Sequence, residues 1–270
     1  MEEIVYLDGS IYKLKEAEVN IFKGNEVFNG VFESLIVVNG KIFRLEEHLK
    51  RLFNSAKVLQ IALPSQIKET ILFTVKKSNL QNIYLRVSIV QREKKNSLII
   101  LVKKASIYPK EFFTKGVSIS FVSTQRNYDE ALTPKVKCSN FLANVLAKNE
   151  IVSRNSFEIV SLNSKGLITE GTISNIFLVS EETVYTPKIS LGILEGVTRN
   201  IAINICKNLN IKVKEECLTR YDAYTADEIF LTFTSAGILP ATKVDSKLVG
   251  SGKVGKISKI IHKEYRKKLR

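Results

Sequence analysis

Three separated segments of the 270-residue chain carry an amine, a carboxylate and a turn suited to anions. Lys137 lies in TPKVKCSNFLANVLAK, directly before an apolar run that could shield its amine from water. Glu170 lies in GLITEGTISNIFLV, ahead of an apolar strand, where a buried carboxylate needs a partner such as a protonated pyridine nitrogen. The sequence GVTR at 196–199 opens a predicted helix, and helix starts present unpaired N–H groups to anions. Together these groups fit a phosphorylated aldehyde.

Further residues could bind the same anion. Thr232, Thr234 and Ser235 follow a predicted strand in FLTFTSAGILP. Arg51, in HLKRL, supplies the planar fork of donors that phosphate favours. Each segment alone also has a simpler interpretation, as a surface lysine, a turn glutamate or an ordinary helix cap. The assignment therefore depends on their combination.

The composition is that of a globular protein with a core of ordinary size. Apolar residues make up 44% of the chain and charged residues 25%. No apolar run approaches the roughly 18 residues of a membrane span. The N-terminus, MEEIVYLDGS, lacks the pattern of a signal peptide, so we expect a cytoplasmic protein without a membrane partner. Three cysteines without C-x-x-C spacing and two distant histidines predict neither a disulfide framework nor a metal site.

The net charge of +14 favours an anionic partner. The basic residues are spread along the chain, and the densest cluster, IIHKEYRKKLR, is typical of a terminal helix with a solvated face. We therefore expect a small anionic substrate that bears an amine, and no nucleic acid. The other interpretation is a non-enzymatic protein that binds nucleic acid or another anion through its charge. The combination of lysine, glutamate and phosphate-binding turn argues against it.

The hydrophobic patterns predict an α+β protein of two domains, with the site between them. VFESLIVV, Asn39-Gly40 and KIFRL carry the signal of a β-hairpin. IVYLDG, IYLRVSIV, SLIILVKK and VSISFVST read as strands. Two helices are predicted from apolar residues at helical spacing, which are Leu45, Leu49, Leu52, Phe53, Ala56 and Leu59 in the first and Ile67, Ile71, Leu72 and Val75 in the second.

The polar stretch at 121–134 is the predicted connection between a domain at 1–120 and a domain at 135–270. Beyond it, we predict helices at 140–148, at 196–209 and from about residue 253 to the end. FEIVSLN, SNIFLV, TVYTP and DEIFLTF read as strands.

Five segments resemble the class IV aminotransferases, the fold-type IV family that depends on pyridoxal 5'-phosphate. They are GVFESLIVVNGKIFRLEEHLKRLFNSAK, VKCSNFLANVLAK, ITEGTISNIFLV, YTPKISLGILEGVTR and ADEIFLTFTSAGILPATKVD, and they follow the family's order over most of the chain. The resemblance implies a small N-terminal α/β domain and a larger C-terminal, cofactor-binding domain with a β-barrel-like core. It also implies a homodimer.

The resemblance further implies a role for each matching residue. Lys137 is implied as the lysine that forms the Schiff base and shuttles the proton, and Glu170 as the partner of the pyridine nitrogen. The implied ligands of the phosphate are Arg51, Gly196, Val197, Thr198 and Thr234. The implied substrate contacts are Phe32, Arg86 and Ser235.

Within the family, the sequence favours a 4-amino-4-deoxychorismate lyase, which releases pyruvate and leaves 4-aminobenzoate, a folate precursor. YTPKISLGILEGVTR is similar to lyase sequences over its whole length. Gly237 replaces a glutamate usual in the transaminases, and Ile36 replaces the arginine of VFEGIR in branched-chain enzymes. The Arg-x-His carboxylate trap of the D-amino-acid enzymes is missing from VSIVQREKKNS.

Other features resemble transaminases. DAYTADEIF is similar to branched-chain enzymes, and Arg86 in YLRVSIV fits both classes. The alternative is therefore an aminotransferase that acts on branched-chain L-amino acids, or on D-amino acids, with 2-oxoglutarate.

Overall fold

A computed structural model describes residues 2–16, 30–91, 96–122, 135–139, 151 and 154–269. The chain divides into two compact units. Of the described residues, the first unit contains those up to 107 together with 136–139, and the second contains 108–122, 135 and those from 151 to 269. This division differs from the predicted bounds at 120 and 135. Beyond its first two residues, the predicted connection at 121–134 lies outside the described residues.

Among the described residues, six antiparallel strands form the sheet of the first unit, in the order β2-β1-β6-β5-β3-β4. They are β1 (Ile4–Leu7), β2 (Ser10–Lys13), β3 (Gly30–Val38), β4 (Lys41–Ile42), β5 (Ile83–Val90) and β6 (Ser97–Lys104). The predicted hairpin is confirmed, and its turn residues Asn39 and Gly40 have φ angles of 50° and 77°. Its second strand is shorter than predicted, because Arg44 turns the chain at a φ of 55° directly before a helix.

Two helices, α1 (Leu45–Val58) and α2 (Ile67–Ser78), pack on one face of this sheet. Their buried apolar residues are Leu49, Leu52 and Ala56 in α1 and Ile67, Ile71 and Val75 in α2. Phe53 and Leu72, which we predicted on the apolar faces, are each 47% exposed. Each follows a buried position by one residue, a rotation of about 100° that turns it out of the apolar stripe.

In the described part of the second unit, nine strands form the sheet, in the order β12-β11-β10-β13-β14-β7-β8-β9, with β15 beside β14. They are β7 (Val117–Phe121), β8 (Glu158–Leu162), β9 (Ile168–Gly171), β10 (Asn175–Ser180), β11 (Thr183–Pro187), β12 (Val213–Glu216), β13 (Glu228–Phe233), β14 (Gly237–Val244) and β15 (Lys247–Leu248). β7 pairs in parallel with β14 and β8, and β11 with β12. β9 also approaches β10 and β11, so the sheet curls as the predicted barrel-like core requires.

The described helices of the second unit are α3 (Lys110–Thr114), α4 (Val197–Asn208), α5 (Arg220–Thr225) and α6 (Lys256–Lys268). The predicted helix at 196–209 is confirmed as α4, with its two end residues as caps. α6 begins three residues later than predicted, where the Glu228 carboxylate accepts the amides of Ile257 and Ser258. The predicted helix at 140–148 lies outside the described residues. No helix in the described part of the chain is long and apolar enough to cross a membrane.

A buried charged cluster joins α1 to β3 in the first unit. The Glu33 side chain is 1% exposed and accepts from Arg51 Nε (2.6 Å), Arg51 Nη2 (2.8 Å) and His48 Nδ1 (2.7 Å). Burial raises the pKa of Glu33, but the charge of Arg51 and hydrogen bonds from Arg51 and His48 outweigh it. The net result lowers the pKa from 4.5 to about 2. The carboxylate is therefore ionised throughout the neutral range.

A carboxyl whose folded pKa is depressed stabilises the fold above its unfolded pKa and loses this contribution as the pH falls toward the folded value. We therefore expect Glu33→Gln to lower the free energy of unfolding by roughly 3 kcal/mol at neutral pH. The difference from the wild type should shrink as the pH falls from 4.5 toward about 2. Urea denaturation at a series of pH values measures it. Glu47→Gln, which removes an exposed partner of Arg44, is the matched control. A wild-type to Glu33→Gln difference that stays constant over this window would contradict the assignment.

Candidate active site

Backbone contacts anchor the Lys137 segment to β3 and α1 within the first unit. The Phe32 amide donates to the Lys137 carbonyl (3.0 Å), and the Ser139 amide donates to the Gly30 carbonyl (2.8 Å). The Lys137 amide in turn donates to Ser55 Oγ of α1 (3.1 Å). These bonds fix the lysine backbone between a strand and a helix, while its side chain is half-buried.

Phe32 brings Lys137 and Arg86 together. Even-numbered residues of β3 point away from α1, so the buried Phe32 ring lies on the sheet face opposite the helices. Lys137 Nζ lies 4.6 Å from the centroid of this ring, and Arg86 Cζ lies 3.9 Å from it. An amine and a guanidinium thus share one aromatic ring. Three of the residues selected from the sequence are therefore neighbours.

Arg51 lies on the helix side of β3, where Glu33 holds its guanidinium through two nitrogen atoms. Its side chain is 13% exposed. Glu33 therefore fixes the orientation of the guanidinium and occupies its Nε–Nη2 edge. Its predicted role as a phosphate ligand stays a prediction.

Glu170 lies within β9 rather than in the turn before the next strand. Its Oε2 atom accepts from Asn175 Nδ2 (3.1 Å) and from the Leu194 amide (3.0 Å). The same Asn175 nitrogen also donates to the Leu194 carbonyl (2.9 Å). The carboxylate is half-buried, and these two donors stabilise its ionised form.

The start of α4 lies against the same asparagine. Gly196 is the N-cap, and a Cβ atom placed on it would lie 2.1 Å from Asn175 Oδ1, so no larger residue fits. Among the described residues, no side chain caps this helix start. Val197 and Thr198 begin the first turn, and both are buried. Their amides belong to the N–H groups that have no partner within a helix, as an anion site requires.

The second predicted anion-binding segment follows β13. Thr232 pairs with Asn175 across the β10–β13 ladder, which links this segment to the start of α4. Thr232 is 1% exposed, and within the described part of the chain its Oγ1 atom finds no hydrogen-bond partner. Thr234 and Ser235 lie half-buried in the turn beyond β13. Ser235 Oγ is 2.9 Å from the hydroxyl of Tyr108, which contributes a further polar group to this turn.

Two residues not predicted from the sequence, Glu33 and Asn175, hold Arg51 and Glu170 in place. A signal was present for both. Glu33 is the one charged residue of the apolar strand GVFESLIVV, and Asn175 opens the apolar strand NIFLV. A polar side chain in a buried strand requires a hydrogen-bond partner, and here the partners are the residues selected for chemistry.

Comparison with known proteins agrees with this arrangement. The family model of the class IV amino-transferases matches residues 30–244. The chain is 33% identical to a Methanocaldococcus jannaschii protein named "Putative branched-chain-amino-acid aminotransferase", over 97% of this chain and 95% of that protein. It is 29% identical to a D-alanine aminotransferase of Bacillus licheniformis, over 94% of this chain and 93% of that enzyme.

A solved structure gives the same result for the fold and the cofactor. A T.th. branched-chain amino acid aminotransferase in complex with N-(5'-phosphopyridoxyl)-L-glutamate superposes with a TM-score of 0.90 and 27% identity, over 98% of this chain and 93% of that chain. The predicted fold-type IV architecture is confirmed. The chain belongs to the class IV aminotransferase family and is a pyridoxal-phosphate-dependent enzyme.

Proposed function

We propose that this enzyme is an aminotransferase that exchanges the amino group of branched-chain L-amino acids with 2-oxoglutarate. The observation that carries the proposal is the likeness to branched-chain aminotransferases, at 33% identity to one relative and with a TM-score of 0.90 to one solved structure, and the pair of Arg86 and Lys137 on the Phe32 ring is compatible with it. A guanidinium beside the amine that acts at Cα suits a substrate bearing a carboxylate. The names of the relatives and of the solved structure support a transaminase.

The residues present fit pyridoxal 5'-phosphate. The turn at Gly196 offers backbone N–H groups at a helix start that only a glycine can form against Asn175, which suits a phosphate. The carboxylate of Glu170 suits a protonated pyridine nitrogen, and the amine of Lys137 suits an aldehyde. We assign Arg51 and Thr234 to the phosphate as well, and Phe32, Arg86 and Ser235 to the substrate.

When bound, the cofactor supplies an aldehyde that takes up the amino group and a ring that draws electrons from Cα. Glu170 would hold the protonated ring nitrogen through its carboxylate, which the hydrogen bonds from Asn175 and the Leu194 amide fix in position. Lys137 Nζ takes the proton from Cα as a base and returns it as an acid. Arg86 orients the substrate through its carboxylate.

Two of the features that favoured a lyase do not discriminate between the two reactions. Gly237 has a φ of 75°, and a Cβ atom there would lie 2.2 Å from Cε1 of Tyr265. In this chain, backbone conformation and packing against Tyr265 therefore account for the glycine at position 237. The segment YTPKISLGILEGVTR leads into α4, and its glycine turn serves phosphate binding, which both classes share. The alternative of an aminotransferase is thus better supported than the lyase.

The test is an assay of the purified enzyme loaded with pyridoxal 5'-phosphate. We expect L-glutamate to form from 2-oxoglutarate with L-leucine, L-isoleucine or L-valine, and little with D-alanine. Activity with D-alanine alone would reassign the enzyme to D-amino acids. Formation of 4-aminobenzoate and pyruvate from 4-amino-4-deoxychorismate, without transfer from any amino acid, would overturn the proposal in favour of the lyase.

Lys137→Ala should remove covalent attachment of the cofactor and lower kcat by roughly 10³-fold or more, because it deletes the group that moves the proton. Lys135→Ala, two residues away at an exposed position, is the control and should stay close to the wild type. Borohydride reduction followed by peptide mapping locates the attachment. Retention of a reducible attachment at another lysine in Lys137→Ala would exclude the assigned role.

Glu170→Gln should retain the cofactor but lower kcat by about 100-fold with a smaller change in KM, since a neutral amide does not keep the ring nitrogen protonated. Steady-state kinetics and an absorbance titration of the bound cofactor against pH measure both effects. Glu182→Gln, at an exposed turn of the same unit, is the matched control. Unchanged kcat at saturating substrate would refute the role of Glu170.

The predicted homodimer and the predicted cytoplasmic location stay predictions. Sedimentation of the purified enzyme at several concentrations tests the first of them.

A further inference from the structure

The side-chain amide of Asn175 lies at the junction of the two cofactor-binding elements of the second unit. Its Nδ2 atom donates to Glu170 Oε2 (3.1 Å) and to the Leu194 carbonyl (2.9 Å), which occupies both of its N–H groups. Its Oδ1 atom faces Gly196, where any Cβ atom would collide with it. Asn175 is 5% exposed, so water does not replace these contacts readily.

Only an amide satisfies these contacts. Both atoms that receive the Asn175 N–H groups are oxygen acceptors, so an aspartate of the same size would place a third oxygen against them. An alanine would leave a Glu170 oxygen and the Leu194 carbonyl without this donor. Leu194 completes the link, because its amide donates to the same Glu170 oxygen (3.0 Å). Glu170, Asn175 and Leu194 therefore form a closed ring of hydrogen bonds.

Glu158 fixes one side of this ring. Its carboxylate is 1% exposed and accepts from the Thr172 amide (3.1 Å), Thr172 Oγ1 (2.7 Å), the Ile173 amide (3.2 Å) and Ser174 Oγ (2.9 Å). The turn formed by these residues joins β9, which carries Glu170, to β10, which begins with Asn175. The position of the asparagine relative to the glutamate is therefore set by a buried charge with four donors from one turn.

The other side of the ring leads into the phosphate-binding turn. Leu194 precedes Gly196 by two residues, and α4 follows directly. Arg199, in the first turn of α4, is 2% exposed and donates through Nη2 to the Pro187 carbonyl (3.0 Å) and to Glu215 (2.7 Å). Arg199 thus holds the helix start against β11 and β12. Asn175, at the start of β10, holds Leu194, two residues before Gly196. A shift of Leu194 would move the N–H groups of the turn.

We propose that Asn175 is a positioning residue that couples the Glu170 carboxylate to the Gly196 turn, so that recognition of the ring nitrogen and recognition of the phosphate depend on each other. The inference rests on the proposed assignment of both elements to pyridoxal 5'-phosphate. It assigns to Asn175 an effect on anion binding, although the bonds of its side chain are to Glu170 and Leu194.

The experiment measures binding of inorganic phosphate and of pyridoxal, each alone, to the cofactor-free protein by calorimetry. The proteins are the wild type, Asn175→Ala, Glu170→Ala and the double variant. We expect Asn175→Ala to weaken both ligands by about tenfold. Glu170→Ala should also weaken phosphate, whereas simple removal of a negative charge would strengthen it. The double variant should bind phosphate no more weakly than the weaker single variant, because both substitutions break the same link.

Asn204→Ala, at an exposed position of α4, is the matched control and should bind both ligands like the wild type. Asn175→Asp keeps the size of the side chain and provides a second test should the alanine variant fold poorly. Its carboxylate lacks the two N–H donors to Glu170 and Leu194, so Asn175→Asp should weaken binding of pyridoxal, which carries no phosphate, by about tenfold, as Asn175→Ala does.

Failure of this inference and failure of the proposed function would give different results. A wild-type protein that binds neither pyridoxal 5'-phosphate nor inorganic phosphate would overturn both. Wild-type binding with Asn175→Ala and Asn175→Asp within about twofold of it would overturn the coupling alone. Additive losses for Glu170→Ala and Asn175→Ala would also overturn the coupling, since independent effects need no shared link.

Discussion

A carboxylate that leaves water must find donors or positive charge in the protein, and both units are built around this constraint. Glu33 and Glu158 are each 1% exposed. Glu33 takes its donors from α1, and α1 also carries Ser55, the hydroxyl that receives the Lys137 amide. Glu158 takes its donors from the turn between β9 and β10 and so holds Glu170 beside Asn175. In each unit, satisfying a buried charge also positions a residue assigned to chemistry.

The fold also depends on close approach between the backbone at two glycines and neighbouring side chains. At Gly196, the absence of a side chain lets the start of α4 reach the Asn175 amide, and the same absence exposes its N–H groups to an anion. At Gly237, a left-handed turn fits under the ring of Tyr265. The two glycines show why the residue type at a single position is a weak guide to the reaction that an enzyme catalyses. One is assigned to anion binding, and the other packs against Tyr265.

Cofactor use and substrate choice are assigned to different residues. The elements that suit a phosphate and a ring nitrogen are backbone turns and carboxylates fixed by many hydrogen bonds, and the family model matches across them. Substrate choice is assigned to a few side chains on the face of the first unit's sheet that lies opposite its helices, among them Phe32 and Arg86. A fold shared with branched-chain and D-alanine aminotransferases therefore fixes the cofactor chemistry more firmly than the substrate, which needs its own experiment.

The sequence alone determined the local elements and the family. Runs rich in β-forming residues indicated β5 and β6, Asn39-Gly40 indicated a hairpin, and helical spacing indicated α1 and α4, because these signals depend on neighbours a few residues apart. Lys137, Glu170 and the turn at Gly196 followed from their motifs. Only the tertiary structure decided that residues 136–139 pack with the first unit and that β7 pairs in parallel with β14. It alone joined Glu33 to Arg51 and Asn175 to Leu194, since these partners are 18 and 19 residues apart. A polar residue within an apolar strand indicates from the sequence that it needs a hydrogen-bond partner. Which partner it finds is decided by the packing of distant segments.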